Sequence, residues 1–187
     1  MIIYFSASAR NLKSDLETYQ VIVNKIHSLD HNLALEWLEP ARRRMLRKDD
    51  MFEDIESIVR AAQAGVESAE LVIVEATGGS TFGVGYEVGL AIQLRKPVLL
   101  LIKKEAMDSY ATGLKNNLIT LRRYDKSNLE RTIEDFIKRN VLKTKDLRFN
   151  FVLDREIYNH LRLKSFETGR TKAEIVRDLL LNDIKKG

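Results

Sequence analysis

One carboxylate, Glu87, lies where its surroundings could support chemistry. It follows a run of four apolar residues, Leu71–Val74, and a segment with glycine at positions 78, 79, 83 and 85. Such a run is typical of a parallel strand that is covered on both faces. Glycines let a ligand approach the backbone, and the start of the following helix presents free N–H groups to an anion. The pattern indicates a site for a phosphorylated or sugar-bearing small molecule.

The composition limits the other classes of site. The chain has 187 residues and no Cys, so disulfides, thiolate metal ligands and cysteine nucleophiles are excluded. The three His residues are scattered along the sequence, so we expect neither a metal nor a cofactor. No apolar run approaches the roughly 20 residues of a membrane helix, and no signal peptide precedes the first strand. We therefore expect a cytoplasmic protein without a membrane partner.

Strand and helix patterns alternate through the first 140 residues. This alternation predicts an α/β fold with a doubly wound, mainly parallel five-stranded sheet of the flavodoxin or Rossmann type. The predicted strands are residues 2–6, 33–38, 71–74, 98–102 and 118–121, with a basic loop at 42–48 that Pro40 opens. Parallel sheets bind ligands at the carboxyl ends of their strands, so we expect Ser6–Arg10 and Thr77–Glu87 to meet there.

The segment around Glu87 resembles a known signature. Gly83-Val84-Gly85-Tyr86-Glu87, then Gly89 and Ala91, is preceded by Val74-Glu75-Ala76-Thr77 and followed by Lys96-Pro97-Val98. This order is similar to the nucleoside 2-deoxyribosyltransferase superfamily, in particular its 2'-deoxynucleoside 5'-monophosphate N-glycosidases. Tyr4-Phe5-Ser6-Ala7-Ser8-Ala9-Arg10 is similar to the opening motif of that family. The resemblance covers about residues 1–140.

The resemblance implies roles for individual residues. Glu87 would attack the sugar and form a covalent glycosyl-enzyme, and Tyr4 would orient Glu87 or the sugar. The 5'-phosphate would be held by seven residues: Ser6, Ser8, Arg10, Ser80, Thr81 and the amides of Gly83 and Gly85. The residues also allow plainer interpretations: an acid near a helix start, glycines in a tight turn, an exposed Arg10, and Glu75 as a structural acceptor.

One position departs from the family pattern. The family carries an Asp eight residues before the acid that begins the third strand, and this chain has Ala62 there, eight residues before Glu70. Neither Ala62 nor its neighbour Gln63 can donate a proton as a carboxylic acid does. Gln63 is a candidate contact to the base. The alternative is a pocket that binds a nucleotide without cleaving it and reports to a DNA-binding tail.

The chain changes character after residue 141. We predict a first domain over residues 1–141, a polar linker over 142–147 and a module over 148–187. In the module a strand at 148–153 precedes a helix that ends at Gly169, and a capping box, Thr171 with Glu174, opens a last helix. This order resembles the ribbon-helix-helix fold. A lone strand and two short helices cannot bury a core, so we expect a homodimer or a larger even-numbered oligomer.

The role of the module stays open between DNA binding and dimerisation alone. Residues 148–187 hold nine Lys/Arg and six Asp/Glu, and so carry +3 of the net charge of +4. In the ribbon-helix-helix family the outward residues of the paired strands enter the major groove. Here those residues would be Arg148, Asn150 and Val152.

Overall fold

The computed structural model describes residues 1–50, 54–77, 81–106, 110–141 and 152–185. The chain folds into two compact units, Met1–Lys145 and Asp146–Gly187.

The first unit is built on five strands. These are β1 (Ile2–Ala7), β2 (Asn32–Leu33), β3 (Leu71–Glu75), β4 (Val98–Lys103) and β5 (Ile119–Tyr124). All neighbouring pairs are parallel, in the order β2-β1-β3-β4-β5. The prediction of a doubly wound, five-stranded parallel sheet is confirmed. The order reverses between β1 and β3, which is where open α/β sheets bind their ligands.

Five helices cover the two faces of the sheet. They are α1 (Leu12–Ser28), α2 (Leu38–Arg47), α3 (Ile55–Ser68), α4 (Phe82–Gln93) and α5 (Leu129–Val141). Side chains alternate along β3, so Leu71 and Ile73 pack in one apolar cluster and Val72 and Val74 in the other. The first cluster contains the buried faces of α1 and α5, and the second those of α3 and α4. The continuous apolar run predicted this burial on both faces.

The second strand is present but covers only Asn32–Leu33, so the predicted bounds of 33–38 were wrong, as was the basic loop. Pairing with β1 ends at Leu33, and the Trp37 indole then donates to the carbonyl of Phe5 at 2.8 Å. The Trp37 ring also stacks on Phe5, so the chain turns inward and begins α2 at Leu38. Pro40 is tolerated in the first turn because the amides there have no partner within the helix. The arginines predicted for a loop therefore lie on α2.

Residues 152–185 of the second unit form two helices, α6 (Arg155–Thr168) and α7 (Lys172–Ile184). Gly169 ends α6 with a left-handed φ of 67°, as its sequence position predicted. The capping box between Thr171 and Glu174 is present in both directions. The predicted linker at 142–147 and the predicted strand residues 148–151 lie outside the described residues. Val152 and Leu153 are in neither helix nor strand.

Candidate active site

Glu87 and Ser6 meet at the carboxyl edge of the sheet. Ser6 lies near the end of β1, and Glu87 lies on the second turn of α4, the helix that follows β3. The Ser6 hydroxyl donates to Oε2 of Glu87 at 2.5 Å. Ser6 is buried and Glu87 partly buried. The fold therefore brings together two residues that are 81 positions apart in the sequence.

The carboxyl of Glu87 is poorly solvated. Burial raises its pKa above the ordinary value, and the interactions with the hydroxyls of Ser6 and Tyr4 lower it, without cancelling the effect of burial. Both hydroxyls stabilise the ionised form. The hydroxyls of Ser6 and Tyr4 thus hold the Glu87 carboxyl in a partly buried position at the sheet edge.

Tyr4 stays neutral in this environment. The residue is 3% exposed. Burial raises the pKa of its hydroxyl far above the ordinary value, and the nearby charge of Glu87 raises it further. A phenol that does not ionise near neutral pH can donate a hydrogen bond but cannot act as a general base. Tyr4 is therefore suited to orienting Glu87.

Gly65 is a site-shaping residue that the sequence analysis missed. A β-carbon at Gly65 would lie 2.7 Å from Cε2 and 2.8 Å from Cδ2 of Tyr4. Gly65 lies inside α3, where glycine costs about 1 kcal/mol relative to alanine. A glycine within a helical pattern was the signal that could have identified it, since such a residue often permits a close approach.

Ala62 and Gln63, on α3, occupy different environments. Ala62 is 9% exposed and packs in the same apolar cluster as Tyr4 and Val66. The Gln63 amide donates to the Tyr86 hydroxyl at 2.5 Å, and Tyr86 directly precedes Glu87. The structure thus joins Gln63 to the segment that carries Glu87, but through Tyr86. No carboxylic acid occupies the place of the family's Asp.

The residues predicted to hold a phosphate are distributed around the start of α4 and the end of β1. Ser8 is 5% exposed, and its hydroxyl is a buried polar group without a hydrogen-bond partner in the described part of the chain. Thr81 is the N-cap residue of α4, and its side chain makes no capping bond. Arg10 is exposed and forms no ion pair with any described residue. Ser80 lies outside the described residues.

The expectation that Gly83 and Gly85 form a turn was wrong, because both lie in the first turns of α4. The amide of Gly85 donates to the Thr81 carbonyl at 3.1 Å, so it is engaged within the helix. The amide of Gly83 belongs to the first turn, whose N–H groups have no helical partner. A β-carbon at either glycine would meet no atom of the described residues within 4 Å. Packing against those residues therefore does not require glycine at either position.

A second buried acid, Glu75, ends β3 on the opposite sheet face, with its side chain in the layer of Leu71 and Ile73. It is 3% exposed and accepts hydrogen bonds from Thr77 and Tyr124.

The second unit contributes one described candidate residue. Val152 is 99% exposed. Arg148 and Asn150 lie outside the described residues. Among the residues that the structure describes, no group of three or more His, Cys, Asp or Glu side chains could hold a metal ion. Within the same ranges, no helix is both long and apolar enough to cross a membrane.

A family profile described as nucleoside 2-deoxyribosyltransferase matches residues 3–138. The chain belongs to this family. It is 26% identical over 144 residues to a 5-hydroxymethyl-dUMP N-hydrolase of Tetraodon nigroviridis, a match covering 73% of this chain and 96% of that protein. It is 29% identical over 142 residues to a putative 2'-deoxynucleoside 5'-phosphate N-hydrolase of Methanosarcina barkeri. This match covers 72% of this chain and 84% of that protein.

A solved structure, the CMP N-glycosidase of Clostridium botulinum, superposes with a TM-score of 0.48 at 12% identity. The superposition covers 75% of this chain and 99% of that one. The family match ends at residue 138, so it contains Tyr4, Ser6 and Glu87 and excludes the second unit. These three candidate residues therefore lie in the part of the chain that matches the family.

Proposed function

We propose that this deoxyribosyltransferase-family enzyme cleaves the N-glycosidic bond of a nucleoside 5'-monophosphate, with Glu87 as the nucleophile. The observation that carries the proposal is the partly buried Glu87 carboxylate, held by the Ser6 hydroxyl at 2.5 Å at the β1/β3 edge. Curated relatives that hydrolyse nucleotides support the substrate class.

The reaction has two steps. A Glu87 oxygen forms a bond to C1' of the sugar while the C1'–N bond breaks, and the bonding electrons leave with the base. Water then attacks C1' of the glycosyl ester, the ester C–O bond breaks, and the Glu87 carboxylate is regenerated. The proton of that water passes to solvent. A second base in place of water would give transfer, so the acceptor decides between hydrolase and transferase.

The leaving base receives little help from this chain. Because Ala62 supplies no acid, we propose that the base leaves with its negative charge partly developed and takes its proton from solvent. We assign the Gln63–Tyr86 pair, which is joined to the helix that carries Glu87, to contact with the base. Ser8, Arg10, Ser80, Thr81 and the Gly83 amide are proposed to bind the phosphate, because Arg and helix-start amides suit that anion. Gly85 is also assigned to the phosphate site, because no described atom lies within 4 Å of where its β-carbon would be.

The test is base release from a panel of nucleosides and nucleoside 5'-monophosphates, separated by chromatography, with Glu87→Gln as the matched control. We expect release by the wild type and loss of about 10³-fold or more in Glu87→Gln, as for removal of a covalent nucleophile. A 2'-fluoro-arabino nucleotide should add one sugar phosphate to the wild type in intact-mass measurement. Wild-type release that persists in Glu87→Gln contradicts the assignment of the nucleophile.

We propose a homodimer because two surfaces of the chain expose large apolar side chains. In the tail unit, Leu161 is the one buried hydrophobic side chain among the described residues, whereas Phe166 is 89% and Leu180 59% exposed. On α3, Ile55 is 55% and Val59 42% exposed. A second copy would cover both surfaces. We expect sedimentation velocity to give a dimer or an even multiple, and a monomer at micromolar concentration contradicts it.

The domain limits, a cytoplasmic location and DNA contact through Arg148, Asn150 and Val152 remain predictions. DNA contact is tested by fluorescence anisotropy of wild-type protein with duplex DNA at low salt, where phosphate contacts are strongest. If binding occurs, Arg148→Ala with Asn150→Ala should abolish it while the dimer persists. Without binding at low salt, the tail is assigned to dimerisation alone.

A further inference from the structure

Three strand ends are joined at the point where the chain leaves β3. Oε1 of Glu75 accepts from the Thr77 amide at 3.3 Å, from the Thr77 hydroxyl, and from the Tyr124 hydroxyl at 2.9 Å. The Thr77 hydroxyl in turn accepts from the amide of Lys103 at 2.9 Å. Tyr124 ends β5 and Lys103 ends β4. Thr77 is therefore fixed through both its backbone and its side chain.

Thr77 occupies a position that matters for the site. It lies four residues before Thr81, the N-cap of α4, and α4 carries both the Gly83 amide and Glu87. Fixing Thr77 limits where the connection from β3 to α4 can begin. The amides of the first turn of α4 are the groups assigned to the phosphate, and they bind well only when held in place before the ligand arrives.

Glu75 does not act as an acid partner of Glu87. Neither carboxyl is among the groups that shift the pKa of the other. Glu75 also lies on the face of the sheet opposite the Tyr4 and Val74 side chains. Its surroundings include Asp15, which raises the pKa of Glu75 and is itself paired with the Lys103 ammonium at 2.6 Å. The described hydrogen bonds of Glu75 join it to Thr77 and Tyr124, and of these two only Thr77 lies on the stretch of chain that leads to α4.

We propose that Glu75 is a positioning residue for the phosphate end of the substrate, acting through Thr77 on the start of α4. The inference rests on the proposed function, since it assigns a role within the same site. In this role Glu75 contributes to substrate specificity, because the positioned helix start strengthens the binding of a nucleotide more than that of the corresponding nucleoside.

The test compares dUMP with deoxyuridine by isothermal titration calorimetry, using the Glu87→Gln protein so that neither ligand is consumed. The parent should bind dUMP more tightly than deoxyuridine. Thr77→Val keeps the shape of the side chain and removes its hydroxyl. We expect it to weaken dUMP binding by about tenfold, the worth of one hydrogen bond to a charged group, and to leave deoxyuridine binding within about twofold.

Three further variants separate positioning from folding. Glu75→Ala should reproduce the loss in Thr77→Val, while Glu75→Gln, which keeps the acceptor oxygen, should restore most of the dUMP affinity. Tyr124→Phe should give a smaller loss, because Thr77 keeps its bonds to Glu75. Thermal melting of each variant reports whether the fold is intact.

Two results would overturn the inference. One is an equal loss for dUMP and deoxyuridine in Thr77→Val, which is what a purely structural role predicts. The other is a parent protein that binds dUMP no better than deoxyuridine. Absence of base release by the wild type overturns the proposed function instead, and a phosphate-dependent loss in Thr77→Val would still support the positioning role.

Discussion

The α-carbon of Gly65 faces the ring of Tyr4 so closely that a β-carbon there would lie 2.7 Å from Cε2. The ring has little room to move, because Tyr4 is 3% exposed and packs within the cluster on the α3 and α4 side. The Tyr4 hydroxyl interacts with Glu87. The size of residue 65 therefore limits where the Tyr4 ring can lie, and the hydroxyl of that ring interacts with the proposed nucleophile.

Gly65→Ala should reverse the usual effect of this substitution in a helix. Alanine normally stabilises a helix interior by about 0.5–1 kcal/mol, but the clash with Tyr4 should instead destabilise the protein by about 1–3 kcal/mol and lower kcat. Chemical denaturation and base-release kinetics measure the two effects. The matched control is Gly89→Ala on α4, where a β-carbon meets nothing within 4 Å, so stability should rise and kcat stay unchanged. Equal gains in stability for both variants would contradict the role of Gly65.

Ser6→Ala should move the acidic limb of the pH profile to higher pH. The Ser6 hydrogen bond lowers the pKa of Glu87 against the effect of burial, so its loss raises that pKa further. Since the nucleophile must be ionised, kcat/KM should begin to fall at a higher pH than in the wild type. Ser6→Thr keeps a hydroxyl and should retain the wild-type profile. If the acidic limb of the pH profile is the same in Ser6→Ala as in the wild type, ionisation of Glu87 does not determine that limb.

Ala62→Asp should add the acid that this chain lacks. An acid that protonates the leaving base typically contributes about 10²–10⁴-fold, so kcat for substrates with poor leaving bases should rise. Ala62→Asn has nearly the same volume without the acid and serves as the control for disturbing the buried position. The comparison is made by base-release kinetics on the same nucleotide. A similar rate for Asp and Asn would show that residue 62 does not reach the base.

Glu75→Gln should change how stability depends on pH. Burial raises the folded-state pKa of Glu75 above its unfolded value. The folded state then binds more protons, so this carboxyl makes stability fall as pH rises from the unfolded pKa through the folded one. Removing the charge should flatten that decline. Urea denaturation at several pH values from about 4 to 8 measures it, and a steeper decline in Glu75→Gln would contradict the sign of the shift.

Local patterns in the sequence were sufficient to predict the parallel sheet, the helix end at Gly169 and the capping box at Thr171. Each feature depends on residues that are close together in the chain. Examples are the apolar run Leu71–Val74 and the glycine at position 169, which adopts a positive φ. The same reasoning failed at Leu33, where the indole of Trp37 bonds to β1 and ends the predicted strand. Residue type alone also does not show that Ile55 and Val59 on α3 are exposed, since such side chains are more often buried.

The sequence by itself determined the order of the elements and the chemical types at the site, including Glu87, Ser6 and the absence of an acid at residue 62. Only the tertiary structure decided which groups touch. The contacts of Ser6 with Glu87, of Gly65 with Tyr4 and of Glu75 with Tyr124 join residues 81, 61 and 49 positions apart. Periodicity records which face of an element is apolar, but strand order and register determine what that face meets.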